Sequence, residues 1–178
     1  MGKGHKLAVL GLGGLGHMAV KFGVAFGAEV TVLSTSPSKE QDAKDLGAHH
    51  FAVTKNEAQF ANLKNSFDFI IDTVSAQHDI ASYLQLLKVD GTMILLGIPP
   101  EPSLIPSAPL VMKRRRLVGS LIGGIKETQE MLDFCGEHNI VSTIELVDAS
   151  DPSAVDAAYE RVVGSDVRYR FVIDASTI

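Results

Sequence analysis

The sequence has little cysteine, no long apolar run and no large excess of charge. Its one cysteine, Cys135, excludes an internal disulfide. No apolar run approaches the length of a membrane-spanning helix, and the first five residues lead directly into a strand-like run instead of the long apolar region of a signal peptide. The net charge of −5 disfavours a nucleic-acid-binding surface. We therefore expect a cytoplasmic protein that has neither a membrane nor a nucleic acid as its partner.

The basic run at residues 113–116 has no aromatic residues between its cations, so it predicts a solvated helix end whose charges complement the helix dipole.

The sequence also gives little support for a metal site. Cys135 and His138 have a spacing compatible with two metal ligands, and His49 adjoins His50, but no second ligand pair accompanies either. Packed or surface side chains are favoured, and no metal ligand is assigned.

Residues 6–33 read as strand, glycine-rich turn, helix and strand. An apolar run precedes Gly11-x-Gly13-x-x-Gly16, apolar residues then recur at helical spacing, and a β-branched run follows. In a dinucleotide-binding turn the first glycine permits a tight turn, the second lets the backbone approach the pyrophosphate, and the third lets the helix pack on the strand. The helix N-terminus adds N–H donors for the phosphate. This context favours dinucleotide binding over a merely tight turn.

The end of the second predicted strand indicates which dinucleotide binds. An NAD-preferring fold places Asp or Glu there, whereas this chain has the hydroxyl-rich stretch Ser34-Thr35-Ser36-Pro37-Ser38-Lys39. Ser36 is also suited to cap the following helix, with Pro37 at its first position. Both interpretations are compatible, because Ser34, Thr35 and Lys39 remain available for a ribose 2′-phosphate. The predicted cofactor is NADP(H).

The remaining pattern predicts an α/β protein with a Rossmann-like, doubly wound parallel sheet of six strands, because strands alternate with helices without hairpins. Strands are predicted at 48–53, 67–72, 92–96 and 117–122, a helix at 58–63 after a Thr54–Glu57 capping box, a helix at 77–87, and a turn at 89–91. A strand-helix-strand extension follows at 143–147, 153–163 and 169–174. Ligands lie beyond the carboxyl ends of such strands, so the candidate cofactor neighbours are Thr73, Val74, Ser75 and Gly97.

Several motifs together resemble the zinc-dependent medium-chain alcohol dehydrogenases, and most closely their cinnamyl-alcohol-dehydrogenase branch. They are GLGGLGHMA at 11–19, STSPSK at 34–39, DLGA at 45–48, LGIP at 96–99, GSLIGG at 119–124 and DVRYRFVID at 166–174. The resemblance covers nearly the whole chain but only the C-terminal half of the family. It implies an NADP(H)-binding domain at residues 1–142 and a segment at 143–178 that folds back on a catalytic domain absent from this sequence.

The resemblance also implies roles for individual residues. It assigns Gly11, Gly13, Gly14 and Leu15 to the pyrophosphate and Ser34, Thr35 and Lys39 to the 2′-phosphate. It assigns the ribose and nicotinamide side to Thr73, Val74, Gly97, Ile98, Ser120 and Ile122. Zinc is expected only in the absent domain, where it polarises the alcohol or aldehyde oxygen during hydride transfer, so the chain alone is expected to be inactive. The family dimerises through the last strand of its cofactor sheet, so the resemblance implies a homodimer through the strand at 117–122.

Two alternatives remain open at this point. One is a free-standing dinucleotide-binding or sensor module whose partner surface is the exposed sheet edge. The other is the cofactor half of a zinc-independent quinone reductase, although the stretch at 119–124 favours the alcohol-dehydrogenase branch.

Overall fold

The computed structural model describes residues 1–164 and 166–178, and its main feature is a parallel sheet of six strands. The strands are β1 Lys6–Leu10, β2 Glu29–Ser34, β3 His50–Val53, β4 Phe67–Asp72, β5 Leu87–Leu95 and β6 Arg116–Gly119. Their spatial order is β3-β2-β1-β4-β5-β6, and every neighbouring pair is parallel. Strands β1 to β3 are added towards one side of the sheet and β4 to β6 towards the other, so the strand order reverses between β1 and β4. Ligands bind at this point in doubly wound folds. The predicted fold class is confirmed.

Helices cover both faces of this sheet. They are α1 Gly16–Ala25, α2 Glu40–Asp45, α3 Glu57–Asn62, α4 Ile80–Leu84, α5 Ala108–Val111 and α6 Ile125–His138. Successive side chains of a strand point to opposite faces, and β1 shows this directly. Leu7 and Val9 pack with Val20 of α1 in one apolar core, whereas Ala8 and Leu10 pack in a second core with Leu84 of α4. Both faces of the central strand are therefore buried, as its unbroken apolar run requires.

The predicted cap of α3 and the predicted bounds of α4 are wrong. The cap of α3 is Asn56, whose side-chain oxygen accepts a hydrogen bond from the Gln59 N–H at 3.1 Å. Thr54 instead donates its backbone N–H to Ser34 in continuation of the strand pairing (2.8 Å). The helix expected over 77–87 is limited to α4, which Asp79 caps. His78 precedes this cap, and its ring hydrogen-bonds to Asp72 and to the carbonyl of Ala76.

The predicted turn at 89–91 lies inside β5. Asp90 adopts a positive φ of 61° there, and the pairing register between β4 and β5 shifts between Phe67 and Phe69. The strand therefore begins at Leu87 and contains an irregularity, rather than beginning after the turn. A bulge of this kind accommodates turn residues without ending the strand.

The basic run at 113–116 is not a uniformly solvated helix end. Arg115 is 8% exposed, and its guanidinium group donates to the carbonyl oxygens of Leu87 and Gln85 and to the side chain of Asn65. Arg114 lies on the surface and pairs with Asp90. Arg115 therefore joins the start of β5 and the turn before it to the loop that precedes β4, while Arg114 and Arg116 face solvent.

The last part of the chain forms a small separate sheet. Strand β7 Ile144–Asp148 pairs in parallel with β8 Arg170–Asp174, and α7 Pro152–Val163 connects them. The Asp151 carboxylate caps α7 by accepting from the Ser153 N–H at 2.9 Å. The unit contacts α1, where the Lys21 ammonium donates to the hydroxyl of Thr143 at 3.1 Å. The predicted strand-helix-strand extension is thus present beside the main sheet.

Among the described residues, no helix has the length and apolar character needed to cross a membrane.

Candidate cofactor-binding site

The glycine-rich turn connects β1 to α1 at the switch point of the sheet. Gly11 has a φ of +86°, a conformation that favours glycine, and its N–H donates to the carbonyl of Leu33 at 3.0 Å. A Cβ on Gly16 would lie 2.1 Å from the carbonyl oxygen of Gly11, so only glycine permits this close approach. A Cβ on Gly13 would meet no atom within 4 Å. The first and third glycines therefore shape the turn, and the second leaves open space beside the backbone.

The start of α1 is free to receive an anion. No side chain caps its N-terminus and no acidic residue stands in its first turn. The unpaired N–H groups and the positive end of the helix dipole then face the space beside Gly13. This arrangement is one that binds phosphate groups in other proteins.

Two clefts flank the glycine-rich turn. The first has a volume of about 490 Å³ and is lined by the turn, Thr73, Lys39 and residues of the C-terminal unit. The second has a volume of about 250 Å³ and lies between the ends of β2 and β4, where Ser34, Thr35 and Val74 line it. Gly11, Leu12 and Lys39 line both clefts, so the two spaces meet at the turn.

The hydroxyl-rich stretch is only partly directed into the second cleft. Lys39 is half-buried, and its ammonium group donates to the carbonyl of Leu12 at 3.0 Å. The Ser34 hydroxyl oxygen accepts from the Ser36 N–H at 3.2 Å, which leaves its own proton free to donate. Ser36 lies outside the cleft lining and shares a hydrogen bond with the Ser38 hydroxyl at 2.8 Å. Its predicted side-chain cap is wrong, because no cap hydrogen bond forms at the 3-10 turn Pro37–Lys39.

Two residues of the C-terminal unit reach the glycine-rich turn and were missed from the sequence. Arg170 and Tyr169 line the first cleft, and the Arg170 guanidinium carbon would lie 2.8 Å from a Cβ on Gly14. Two cations, Arg170 and Lys39, thus flank the turn, and none of the described residues lining either cleft is acidic. The periodicity at 169–174 indicates a strand, but it does not reveal that this strand returns to a turn more than 150 residues earlier.

A third missed residue is His78. Its Nε2 lies 2.9 Å from a carboxylate oxygen of Asp72, and the second oxygen of Asp72 accepts from the Val74 N–H at 3.0 Å. Asp72 is 2% exposed, and its hydrogen bonds to His78 and to the Val74 N–H hold the loop that follows β4 in place. Because the ring also forms a wall of the second cleft, the pair shapes that cleft.

The other predicted neighbours lie beyond the ends of β4, β5 and β6 and do not line the two clefts. A Cβ on Gly97 would lie 2.2 Å from the carbonyl oxygen of Val74, so the loops after β4 and β5 are in close contact beside Ser75. The Ser120 N–H donates to the carbonyl of Leu95 at 3.2 Å. Ile98 and Ile122 are exposed. These residues share one edge of the sheet with the glycine-rich turn, because the strands are parallel.

The fold and the site together define a dinucleotide-binding domain of the Rossmann type. The sheet order, the glycine-rich turn at the switch point and the uncapped N-terminus of α1 are its three characteristic parts. The sequence profile of the family described as "Zinc-binding dehydrogenase" matches residues 14–137. The chain belongs to this family.

Known relatives agree with this assignment. The chain is 52% identical over 177 residues to NADP-dependent alcohol dehydrogenase C 1 of Mycolicibacterium smegmatis, covering 99% of this chain and 50% of the relative. It resembles the solved cinnamyl alcohol dehydrogenase SbCAD4 of Sorghum bicolor with a TM-score of 0.93 and 45% identity, over 98% of this chain and 49% of that one. The CAD protein of Helicobacter pylori, solved in complex with NADP(H), gives a TM-score of 0.86 at 40% identity, over 98% and 49%. The chain spans about half the length of these relatives.

The family is described as zinc-binding, but the described residues of this chain contain no set of zinc ligands. Within residues 1–164 and 166–178, no group of three or more His, Cys, Asp and Glu side chains is arranged to hold a metal ion. Cys135 and His138 lie on α6, where the His138 ring donates from Nδ1 to the carbonyl oxygen of Phe134 at 3.0 Å rather than joining the cysteine. We assign zinc to no described residue.

Proposed function

We propose that this chain is the NADP(H)-binding half of a zinc-dependent alcohol dehydrogenase that interconverts alcohols and aldehydes. The observation that carries the proposal is the open glycine-rich turn with a cation on each side and no acidic side chain in the cleft lining. NADP(H), when bound, supplies or accepts the hydride. The names of the relatives, an NADP-dependent alcohol dehydrogenase and a cinnamyl alcohol dehydrogenase, support the same activity for the whole protein.

The chain's own groups have distinct tasks in this proposal. The backbone N–H groups of Gly13, Gly14 and Leu15 donate to the pyrophosphate, and the Arg170 guanidinium neutralises its charge. Ser34, Thr35 and Lys39 hold the 2′-phosphate, with Ser36 supporting their turn. Gly16 keeps α1 close to β1 so that these donors point into the cleft.

The nicotinamide end is proposed to lie beyond β4, β5 and β6. The residues in this region are Thr73, Val74, Ser75, Gly97, Ile98, Ser120 and Ile122. Their shared position at the carboxyl edge of the sheet supports this role. The contact between Gly97 and Val74 holds two of the loops together, so a flat ring can rest against backbone atoms there.

The Lys39→Ala substitution tests the choice of NADP(H) over NAD(H). We expect it to weaken NADPH binding by roughly 1 to 3 kcal/mol, the scale of a lost charge-assisted hydrogen bond, and to change NADH binding little. Calorimetric titration of both cofactors measures the two effects. Lys44→Ala is the matched control, because Lys44 pairs with Glu40 on the surface of α2 and lines neither cleft. Equal losses for NADPH and NADH would remove Lys39 from the 2′-phosphate site.

The sheet edge at β6 is proposed to form a homodimer with a second copy. Strand β6 ends at Gly119, so the predicted strand at 117–122 is too long at its C-terminal end. Strand β6 pairs with β5 on one side only; Val118 within it is 41% exposed, and Leu121 and Ile122, which follow it, are 82% and 89% exposed. An unpaired apolar strand edge invites pairing with another strand. We expect a dimer in sedimentation experiments that Val118→Lys converts to a monomer, whereas Val163→Lys on α7 leaves it intact. A monomeric parent chain would contradict this part of the proposal.

The division into residues 1–142 and 143–178 is also part of the proposal. Apolar side chains of the C-terminal unit remain exposed on its outer surface, among them Leu146, Val163 and Ile173. Their burial against a catalytic domain that this chain does not span would explain this exposure. A cytoplasmic location, where NADP(H) is available to a reductase, completes the proposal.

A further inference from the structure

His17, the residue that follows the glycine motif, is fully buried, and hydrogen bonds engage both of its ring nitrogens. Its Nδ1 lies 3.2 Å from the carbonyl oxygen of Gly13, and its Nε2 lies 3.3 Å from the backbone nitrogen of Thr143. A carbonyl only accepts and a backbone N–H only donates. One form of the ring satisfies both contacts: the neutral tautomer that carries its proton on Nδ1.

The face of the same ring joins the turn to the C-terminal unit. His17 and Tyr169 are stacked with ring centroids 4.7 Å apart and planes inclined by 13°. The next residue after Tyr169 is Arg170, whose guanidinium group lies against Gly14. A second link comes from Lys21 of α1, which donates to the Thr143 hydroxyl at 3.1 Å. His17 thus touches both the loop that would hold the pyrophosphate and the segment that delivers Arg170 to it.

We propose that His17 is a positioning residue for the cofactor site: its neutral ring fixes the Gly13 carbonyl and docks the C-terminal unit, so that Arg170 stays over the glycine-rich turn. This inference rests on the proposed function, because the anion that Arg170 would meet is the pyrophosphate of NADP(H). Nucleotide affinity then depends on the protonation state of a side chain that does not touch the nucleotide.

The charges around His17 favour the neutral form. Burial lowers the pKa of His17, and the positive charges of Lys21 on α1 and Arg170 on β8 lower it further, against the opposing effect of the Gly13 and Gly14 carbonyls. Burial also raises the pKa of Tyr169 to about 12, so its phenol stays neutral. Protonation would place a second N–H on Nε2, directly opposite the Thr143 N–H, and would break that bond.

The sign of the pH effect follows from these contacts. In the docked unit the pKa of His17 lies below its ordinary value of about 6.5, which it recovers when the unit is released. Between these two pKa values the docked unit binds fewer protons than the released unit. Docking is therefore complete above the ordinary value and weakens as the pH falls through the lowered pKa. Nucleotide affinity should fall in the same acidic range.

Two substitutions separate the hydrogen bonds from the stacking. His17→Gln places an amide oxygen near the position of Nε2, where it accepts from Thr143 at any pH. His17→Phe keeps a stacking ring but forms neither hydrogen bond. We would titrate the 178-residue chain and both variants with NADP⁺, which is stable in acid, between pH 5 and 8. The 2′-phosphate and the other histidines titrate in all three proteins, so the difference between the parent chain and His17→Gln isolates His17.

At pH 7.5 we expect His17→Gln to bind within a few-fold of the parent chain and His17→Phe to bind about tenfold more weakly, the scale of a lost hydrogen-bond pair. Below pH 6.5 the parent chain should lose affinity relative to His17→Gln. Nitrogen NMR of the His17 ring should show the Nδ1-protonated neutral tautomer with or without nucleotide.

Results that contradict the proposed function can be distinguished from results that contradict only the role of His17. A parent chain that binds no NADP⁺ at pH 7.5 refutes the proposed function and this inference with it. A chain that binds, but whose ring is protonated on Nε2 or whose His17→Phe variant binds normally, refutes the inference alone. Identical pH profiles for the parent chain and His17→Gln also overturn it.

Discussion

Gly16→Ala is expected to lower the free energy of unfolding by about 3 kcal/mol or more, the upper range for an overpacked site. The added Cβ would stand 2.1 Å from the backbone oxygen of Gly11 and 3.2 Å from the Thr73 hydroxyl oxygen. The nearest obstacle is backbone rather than a flexible side chain, so relief requires α1 to move away from β1. Denaturant unfolding followed by circular dichroism measures the change.

Gly13→Ala is the matched comparison and should behave in the opposite way. Its Cβ would meet no protein atom within 4 Å, so the stability of the chain should change by less than about 1 kcal/mol, the usual cost of exchanging Gly and Ala. The new methyl group would occupy the space proposed for the pyrophosphate. NADPH binding should therefore weaken at least tenfold, or about 1.4 kcal/mol. Normal NADPH binding by a folded Gly13→Ala variant would contradict the placement of the phosphate, and a stable Gly16→Ala variant would contradict the packing.

Arg115→Met is expected to destabilise the fold by about 3 kcal/mol or more, although it removes a charge from a sequence run that contains three other cations. The guanidinium Nε donates to the Leu87 carbonyl at 3.0 Å, and its terminal nitrogens donate to the Gln85 carbonyl at 3.2 Å and the Asn65 side chain at 3.0 Å. Methionine fills a similar volume but donates no hydrogen bond. The Leu87 carbonyl is buried, and leaving such an acceptor without its charged donor costs roughly 1 to 3 kcal/mol. The lost bonds to the exposed residues Gln85 and Asn65, which keep other donors, add to this cost.

Arg116→Met controls for the loss of charge. Arg116 is exposed and makes one long contact, from its guanidinium to the Asp90 carbonyl at 3.3 Å. Its substitution should change stability by less than about 0.5 kcal/mol, as is usual on a surface. Comparable losses in the two variants would show that the charge, and not the buried hydrogen bonds of Arg115, stabilises the start of β5 and β6.

Local patterns were sufficient to predict the sheet and the centre of the site. The bounds of β4 coincide with the apolar run at 67–72, and the spacing of Gly11, Gly13 and Gly16 placed the switch-point turn. These features depend on residues that are neighbours in sequence, where periodicity and turn chemistry operate. The cofactor roles of the individual residues stay predictions.

The features that escaped prediction depend on contacts between distant residues. Arg115 looks like the other cations of its run until Leu87 and Asn65 are brought beside it. Thr54 matches a capping box, but pairing of its N–H with Ser34 leaves Asn56 to cap α3. The return of Tyr169 and Arg170 to the glycine-rich turn is set by docking of the C-terminal unit on α1, which no local pattern records.

The most direct test of the account is a calorimetric titration of the 178-residue chain with NADPH and, separately, with NADH. The open turn, the two flanking cations and the hydroxyl-rich end of β2 predict saturable binding of NADPH and clearly weaker binding of NADH. Equal affinity for both would contradict the 2′-phosphate role of Ser34, Thr35 and Lys39. Binding of neither by a folded chain would contradict the claim that this domain is a dinucleotide site.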